Sequence, residues 1–200
     1  MSNENISALK KNLRREINSR LKTLSQEERV KFSRAVVEKF LASTVYKNSA
    51  VIMAYLSTAE EIQLNEFISI ALKDEKILAV PFIEGREMQA VRLPNLDALE
   101  VGAYKILTVK SDVRKFIDAE KIDCVITPGL AFDANFSRLG KGAGYYDKFL
   151  SRAVNAKKIA LAYDCQLVEK VPIAPHDLKV DAVITPTKIL EGEVKVGIGD

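Results

Sequence analysis

The chain has 200 residues, 48% of them apolar and 28% charged, and carries a net charge of +3. Those proportions suit one compact domain over residues 1–200 with a sizeable core. A charge this small, with bases and acids interleaved, gives no argument for nucleic acid, and no apolar run approaches the length of a membrane span. The start, Met1–Asn5, is polar, so we expect no secretory signal. Cys124 and Cys165 stand far apart in apolar words and His176 is the only histidine. These point to reduced thiols in a cytoplasmic protein without a thiolate–imidazole metal site.

Ile6, Leu9, Leu13, Ile17, Leu21 and Leu24 recur at the three-to-four spacing of one buried helix face. Ser25, with Glu28 three positions on, reads as the capping box of a second helix whose apolar side is Val30, Val36, Val37, Phe40 and Leu41. From residue 50 strands and helices alternate. We expect a strand over Ala50–Leu56, a helix over Glu66–Leu72, a strand over Ile77–Val80 stopped by Pro81, and an edge strand over Met88–Leu93. A helix over Val113–Ala119 capped by Ser111, a strand over 123–127, a helix over 145–153, and strands over 158–163 and 181–185 follow. Continuous apolar strands between helices predict a three-layer α/β fold, a mostly parallel sheet with helices on both faces, preceded by the helical pair. The word Asp123-Cys124-Val125-Ile126-Thr127-Pro128 returns as Asp181-Ala182-Val183-Ile184-Thr185-Pro186. Their flanks differ, so we read two core strands drawing on one vocabulary rather than a duplication. Residues 94–110 and 164–180 lack periodicity, as binding loops do.

The chemistry gathers between Pro128 and Lys148. After the strand word, Gly140, Gly142 and Gly144 alternate with other residues, and the apolar stripe Tyr146, Phe149, Leu150, Ala153 begins directly afterwards. Strand, glycine loop and helix start are the geometry that receives a phosphate on backbone amides. The loop has neither the Lys-Ser/Thr ending of a Walker loop nor dinucleotide spacing. Arg138, Lys141 and Lys148 add positive charge, and Asp147 could hold a cation that rides on the phosphates. If Tyr146 carries the helix stripe, Tyr145 points to the loop and could touch a ligand, since both cannot face the core.

Ligands of α/β sheets bind beyond the carboxyl ends of the strands, here Leu56–Glu61, Pro81–Arg86, Pro128–Asp147 and Asp164–Asp181. Lys10 and Arg14 share a helix face, either as a solvated basic face or with an anion between them. Glu60 and Glu61 read as helix-start acids or as ligand groups. Asp177 is either a turn aspartate or a second oxygen ligand beside Asp147. With no nucleophile setting around it, His176 receives no catalytic role.

Pro128-Gly129-Leu130-Ala131-Phe132-Asp133, then Arg138-Leu139-Gly140, then Gly142-Ala143-Gly144-Tyr145-Tyr146-Asp147 resemble the motif of the 5-formyltetrahydrofolate cyclo-ligase family. Lys10-Lys11-Asn12-Leu13-Arg14, Glu61-Ile62, Ala162–Val168, Pro175-His176-Asp177 and Val180-Asp181 extend the resemblance over about residues 8–186. It implies an ATP- and Mg2+-dependent ring closure of 5-formyltetrahydrofolate to 5,10-methenyltetrahydrofolate, with ADP and phosphate released through a phosphorylated formyl group. By motif position, Lys10, Lys11, Asn12, Leu13 and Arg14 with Arg138, Leu139, Gly140, Lys141, Gly142, Ala143, Gly144, Tyr145 and Tyr146 would line the ATP site. Leu56, Glu61, Lys141, Gly142, Ala143, Gly144 and Tyr145 would contact the folate, Asp147 and Asp177 would hold magnesium, and Arg138 and Tyr145 would serve catalysis. The implied protein is a monomer acting on a small molecule, with neither nucleic acid nor membrane as partner.

The chain departs from the family pattern in places. Phe136 stands where glycine is usual, so the turn before Arg138 is expected to take another conformation. Ala143 replaces glycine or lysine, which is expected to weaken a phosphate contact. Gly102–Thr108 lacks the usual Gly-Ile-x-x-Pro ending, and Leu64 replaces a threonine cap, with Asn65 free to cap one position later. The alternatives are a non-catalytic nucleotide- or RNA-binding relative on the same fold and a sugar-phosphate isomerase-like enzyme.

Overall fold

The computed structural model describes residues 3–102, 107–193 and 195–197. Helix α1 (Asn3–Lys22) turns into α2 (Gln26–Ala42), whose start is the expected capping box: Ser25 Oγ accepts from Glu28 N while Glu28 Oε2 accepts from Ser25 N. The short α3 (Thr44–Asn48) leads into β1 (Val51–Met53), and α4 (Asn65–Lys73) into β2 (Ile77–Glu84) and β3 (Glu87–Arg92). A hairpin of β4 (Leu99–Val101) and β5 (Leu107–Val109) precedes β6 (Phe116–Ile117) and β7 (Cys124–Ile126). A second small hairpin, β8 (Ala131–Phe132) with β9 (Arg138–Leu139), opens into α5 (Tyr145–Leu150). Strands β10 (Lys157–Leu161), β11 (Ala182–Ile184) and β12 (Ile189–Glu191) complete the described elements.

Among the described residues the main sheet has eight strands in the order β12-β11-β10-β7-β1-β2-β3-β6. The central run from β11 to β2 is parallel, and β12, β3 and β6 are antiparallel additions at the two edges. Successive side chains of a strand enter opposite faces. Ile52, Leu78, Val80, Ile126, Ile159 and Ile184 share one core with the apolar residues of α1, α2, α3 and α4, while Met53, Ala79 and Val125 share a second with Phe149 and Leu150 of α5. Ala160 and Val183 cluster with Phe132 of β8 and Val180 of the irregular segment before β11. Both faces are covered, which is why the strands read as unbroken apolar words.

The repeated aspartate has a structural explanation. Asp123 Oδ2 accepts from the backbone N–H of Ala50 and Val51, and Asp181 Oδ2 accepts from Lys158 N. Each aspartate thus ties the start of its own strand to the neighbouring one.

Four expectations are corrected. Val113–Ala119 is not a helix: a 3-10 turn at Ser111–Val113 gives way to β6, which pairs with β3, and Ser111 does not cap it. The flank of β3 away from β2 offers backbone partners, including Arg92 N to Lys115 O, and the sheet wins over a marginal helical pattern. With β6 outside it, β3 is an interior strand and not an edge. Pro81 does not stop β2, because β1 pairs only as far as Ala79 and leaves that flank of β2 free where proline lacks its N–H. Residues 94–110 hold the β4–β5 hairpin rather than a bare loop, and Ala103–Ile106 of the departing Gly102–Thr108 segment lie outside the described residues.

Candidate active site

A cavity of about 1150 Å³ opens beyond the carboxyl ends of β1, β2 and β7. Its walls come from all four segments expected there: Leu56 and Glu61, Pro81–Ile83, Pro128 to Lys148, and His176–Leu178. Helix α1 closes one side through Lys10 and Arg14. Lys11 and Asn12 are exposed and do not line it, and Leu13 packs against the core instead.

Four charges meet at that side. Lys10 Nζ lies 2.5 Å from Asp177 Oδ2 and 2.7 Å from Oδ1. Arg138, only 3% exposed, donates from Nη2 to Asp147 Oδ1 at 2.6 Å and from Nη1 to Pro128 O at 3.1 Å. Leu178 N approaches Asp147 Oδ1 at 3.4 Å, which brings the two ion pairs side by side. Burial by itself would raise the Asp177 carboxyl, but the Ala174 N–H and the Lys10 ammonium hold it below the usual range. Arg14 Nε donates to Gly140 O at 2.9 Å, so the two cations that share a helix face are held by separate acceptors on different loops.

The glycine loop needs its glycines. Gly142 and Gly144 have φ of +114° and +73°, in the left-handed region that a side chain strains. Ala143 is exposed on the cavity wall between them. Phe136, four residues before Gly140, adopts φ +64° itself, so a bulky residue here holds a conformation that favours glycine. Asp133 fastens this turn: Oδ1 accepts from Asn135 N and Ser137 N, and Oδ2 from Val171 N.

Glu61 also lines the cavity. Its Oε2 accepts from Thr58 N and Oγ1, each at 2.9 Å, and its Oε1 pairs with Lys141 Nζ at 2.7 Å. Lys141 is 54% exposed and so bridges the glycine loop to the segment after β1. Tyr145 and Tyr146 both line the cavity and both pack partly against the core beneath α5, which corrects the expectation that only one could. Tyr145 Oη donates to Gly85 O at 3.3 Å on the β2–β3 turn, while the Tyr146 hydroxyl is buried without a hydrogen-bond partner among the described residues. Burial, helped by the Glu61 charge and opposed by Arg138, pushes the Tyr146 phenol well up. The apolar wall of Tyr55, Phe82, Ile83, Met88 and Leu107 was not singled out residue by residue from sequence, although the strand-end segments and residues 94–110 had marked its neighbourhood. Only the sheet order brings those side chains together.

Among the described residues no group of three or more His, Cys, Asp or Glu is placed to hold a metal. Magnesium asks for less when phosphates supply the remaining oxygens, since one or two carboxylates then suffice. Asp147 fits that role, because its bonds converge on Oδ1 and leave Oδ2 with none among the described residues. Asp177 fits only on release of Lys10, because Lys10 and Ala174 N occupy its oxygens. The donor set therefore suits a phosphate-borne ion and not one bound by protein alone.

A cleft at the strand ends, walled by cations, a glycine loop and an apolar face, is the arrangement of an α/β enzyme's active site. The comparisons with known proteins make the class specific. A sequence profile of the 5-formyltetrahydrofolate cyclo-ligase family matches residues 6–186. The 5-formyltetrahydrofolate cyclo-ligase of Mus musculus is 32% identical over 191 residues, covering 90% of this chain and 94% of the relative. A probable 5-formyltetrahydrofolate cyclo-ligase of Caenorhabditis elegans is 31% identical over 192 residues, covering 90% and 93%. The solution structure of Aquifex aeolicus 5,10-methenyltetrahydrofolate synthetase superposes with a TM-score of 0.84 at 30% identity, covering 96% of this chain and 97% of that one. The chain belongs to the 5-formyltetrahydrofolate cyclo-ligase family.

Proposed function

We propose that the protein closes the ring of 5-formyltetrahydrofolate to 5,10-methenyltetrahydrofolate at the expense of ATP, in a magnesium-dependent reaction. The observation that carries this reading is the convergence of Lys10, Arg14, Arg138, the glycine loop, Glu61 and an apolar face on one cavity. The cationic wall suits a nucleotide's phosphates, and the apolar face with its carboxylate suits a pterin, whose N–H donors a carboxylate accepts.

An amide-like oxygen leaves poorly until it is phosphorylated. In the proposed sequence the formyl oxygen attacks the γ-phosphorus and the bond to ADP breaks. The N10 lone pair then bonds to the formyl carbon, the N10 proton departs, and the C–O bond breaks with phosphate leaving. Positioning and charge neutralisation carry most of such catalysis, which needs no protein nucleophile. Arg138, fixed by Pro128 O and Asp147, holds its guanidinium at the cavity wall without further reorganisation. Lys10 and Arg14 would bind phosphate oxygens, Lys10 exchanging Asp177 for them. Asp147, and Asp177 once released, would hold a magnesium ion that neutralises phosphate charge.

The test is the absorbance of methenyltetrahydrofolate formed from 5-formyltetrahydrofolate. Product is expected only with ATP and magnesium together. Turnover without ATP would refute the phosphoryl step, full turnover in excess chelator would refute the metal, and no product under any condition would refute the activity.

A further inference from the structure

Two buried polar atoms at the cavity have no partner among the described residues: the Tyr146 hydroxyl and Arg138 Nε. The other Arg138 nitrogens are satisfied, by Pro128 O and Asp147. Arg138 Nε is solely a donor, and the Tyr146 phenol has an O–H to offer as well. Buried donors left unpaired are costly, and a ligand bound in the cavity is one way to complete them. What completes this site is therefore rich in acceptor oxygens. Tyr146 lines the same cavity as Glu61, assigned to the pterin, and Arg138, assigned to the phosphates. It is also one helical position from Asp147, whose side chain Arg138 grips.

We propose that the Tyr146 hydroxyl is a catalytic hydrogen-bond donor to the formyl oxygen of the bound folate, an inference that rests on the cyclisation reading above. The formyl oxygen is the one substrate atom that belongs to both partners, joined first to carbon and then to phosphorus as well. Tyr146 keeps its proton throughout. Its bond to one lone pair leaves the other directed at phosphorus. When N10 has bonded to the carbon and the C–O bond breaks, the oxygen takes the bonding pair with the phosphate, and the hydroxyl stabilises the charge that gathers there.

The substitution is Tyr146→Phe, which keeps the ring in the apolar layer beneath α5. Three quantities are measured beside wild type: the rate of methenyl absorbance, the binding of ADP and of 5-formyltetrahydrofolate by calorimetry, and the thermal midpoint of the ligand-free protein. Loss of one preorganised donor predicts product formation slower by roughly 100-fold. Both dissociation constants should stay within about threefold, since the bond matters most in the transition state. The thermal midpoint should not fall, because the variant removes a hydroxyl that has no protein partner among the described residues. A rapid-quench count of ADP should show methenyl formation slowed more than ADP formation. Near-normal turnover in the variant, with an active wild type, overturns the inference and leaves the cyclisation reading standing. A fall in turnover matched by a fall in thermal midpoint makes the hydroxyl structural and overturns it as well. An inactive wild type removes both.

Discussion

Replacing Lys10 by alanine separates the two duties the structure gives this residue. In the ligand-free protein Lys10 and Asp177 are 2.5 Å apart, with side chains 13% and 11% exposed. Exposed pairs contribute under about 1 kcal/mol, whereas breaking a buried pair costs about 3–5 kcal/mol. Asp177 retains the Ala174 N–H, which softens the loss. Lys10→Ala should then destabilise by about 2 kcal/mol, lowering the thermal midpoint by roughly 4–8 °C for a chain of this size. The effect should depend on pH with a definite sign. The Asp177 carboxyl is raised by burial but lowered further by Ala174 N and Lys10, so its folded-state value lies below the unfolded one. The pair's contribution is complete above about pH 4 and is lost as acid carries the solution down through the folded-state value, so the midpoint gap between variant and wild type should close there. For ligands, loss of one charge-assisted phosphate contact of about 1–2 kcal/mol predicts ATP binding weaker by about 5- to 30-fold, with folate binding within about twofold. Lys22→Ala, on the same helix and exposed, is the control. Calorimetric titration of ATP and of 5-formyltetrahydrofolate against the three proteins decides the matter. Equal, small effects of Lys10 and Lys22 would refute the reasoning and leave α1 a brace.

Glu61→Gln keeps the shape of the side chain but removes the charge that Lys141 and the proposed pterin donors use. Folate affinity should fall about 10-fold with ADP affinity unchanged, as measured by the same titrations, and an equal loss of both would argue that Glu61 serves the loop alone. At Phe136, φ +64° carries a strain of about 1–2 kcal/mol for any residue with a Cβ. Both Phe136→Ala and Phe136→Gly lose the ring packed near Gly192, but only glycine sheds the strain, so the glycine variant should be the more stable by about 1–2 kcal/mol in urea unfolding. An alanine variant more stable than the glycine one would show that the turn relaxes.

Much of the fold was written in local pattern. The Ser25–Glu28 capping box and the unbroken apolar words that became β1, β7, β10 and β11 depend on neighbours in the chain and appear where expected, whereas the first helix buries its stripe only in part: Ile17 and Leu21 are in the core, Leu9 is exposed, and Leu24 lies past the helix end at Lys22. The glycine alternation after Arg138 likewise announced a loop of unusual backbone, and two of its glycines have positive φ. What only the tertiary structure decided involves partners distant in sequence. Whether Val113–Ala119 became helix or strand depended on the free flank of β3, and whether Pro81 ended β2 depended on how far β1 reached. No spacing in the chain joins Lys10 to Asp177, or Glu61 to Lys141; the first pair forms because α1 folds over the loop at the strand ends, the second because the loops after β1 and β9 open on one cavity. Nor could sequence tell that Tyr146 turns its hydroxyl into a buried place without a partner among the described residues, because the orientation of a side chain at a helix start is set by what packs around it, here a cluster drawn from strands distant in the chain.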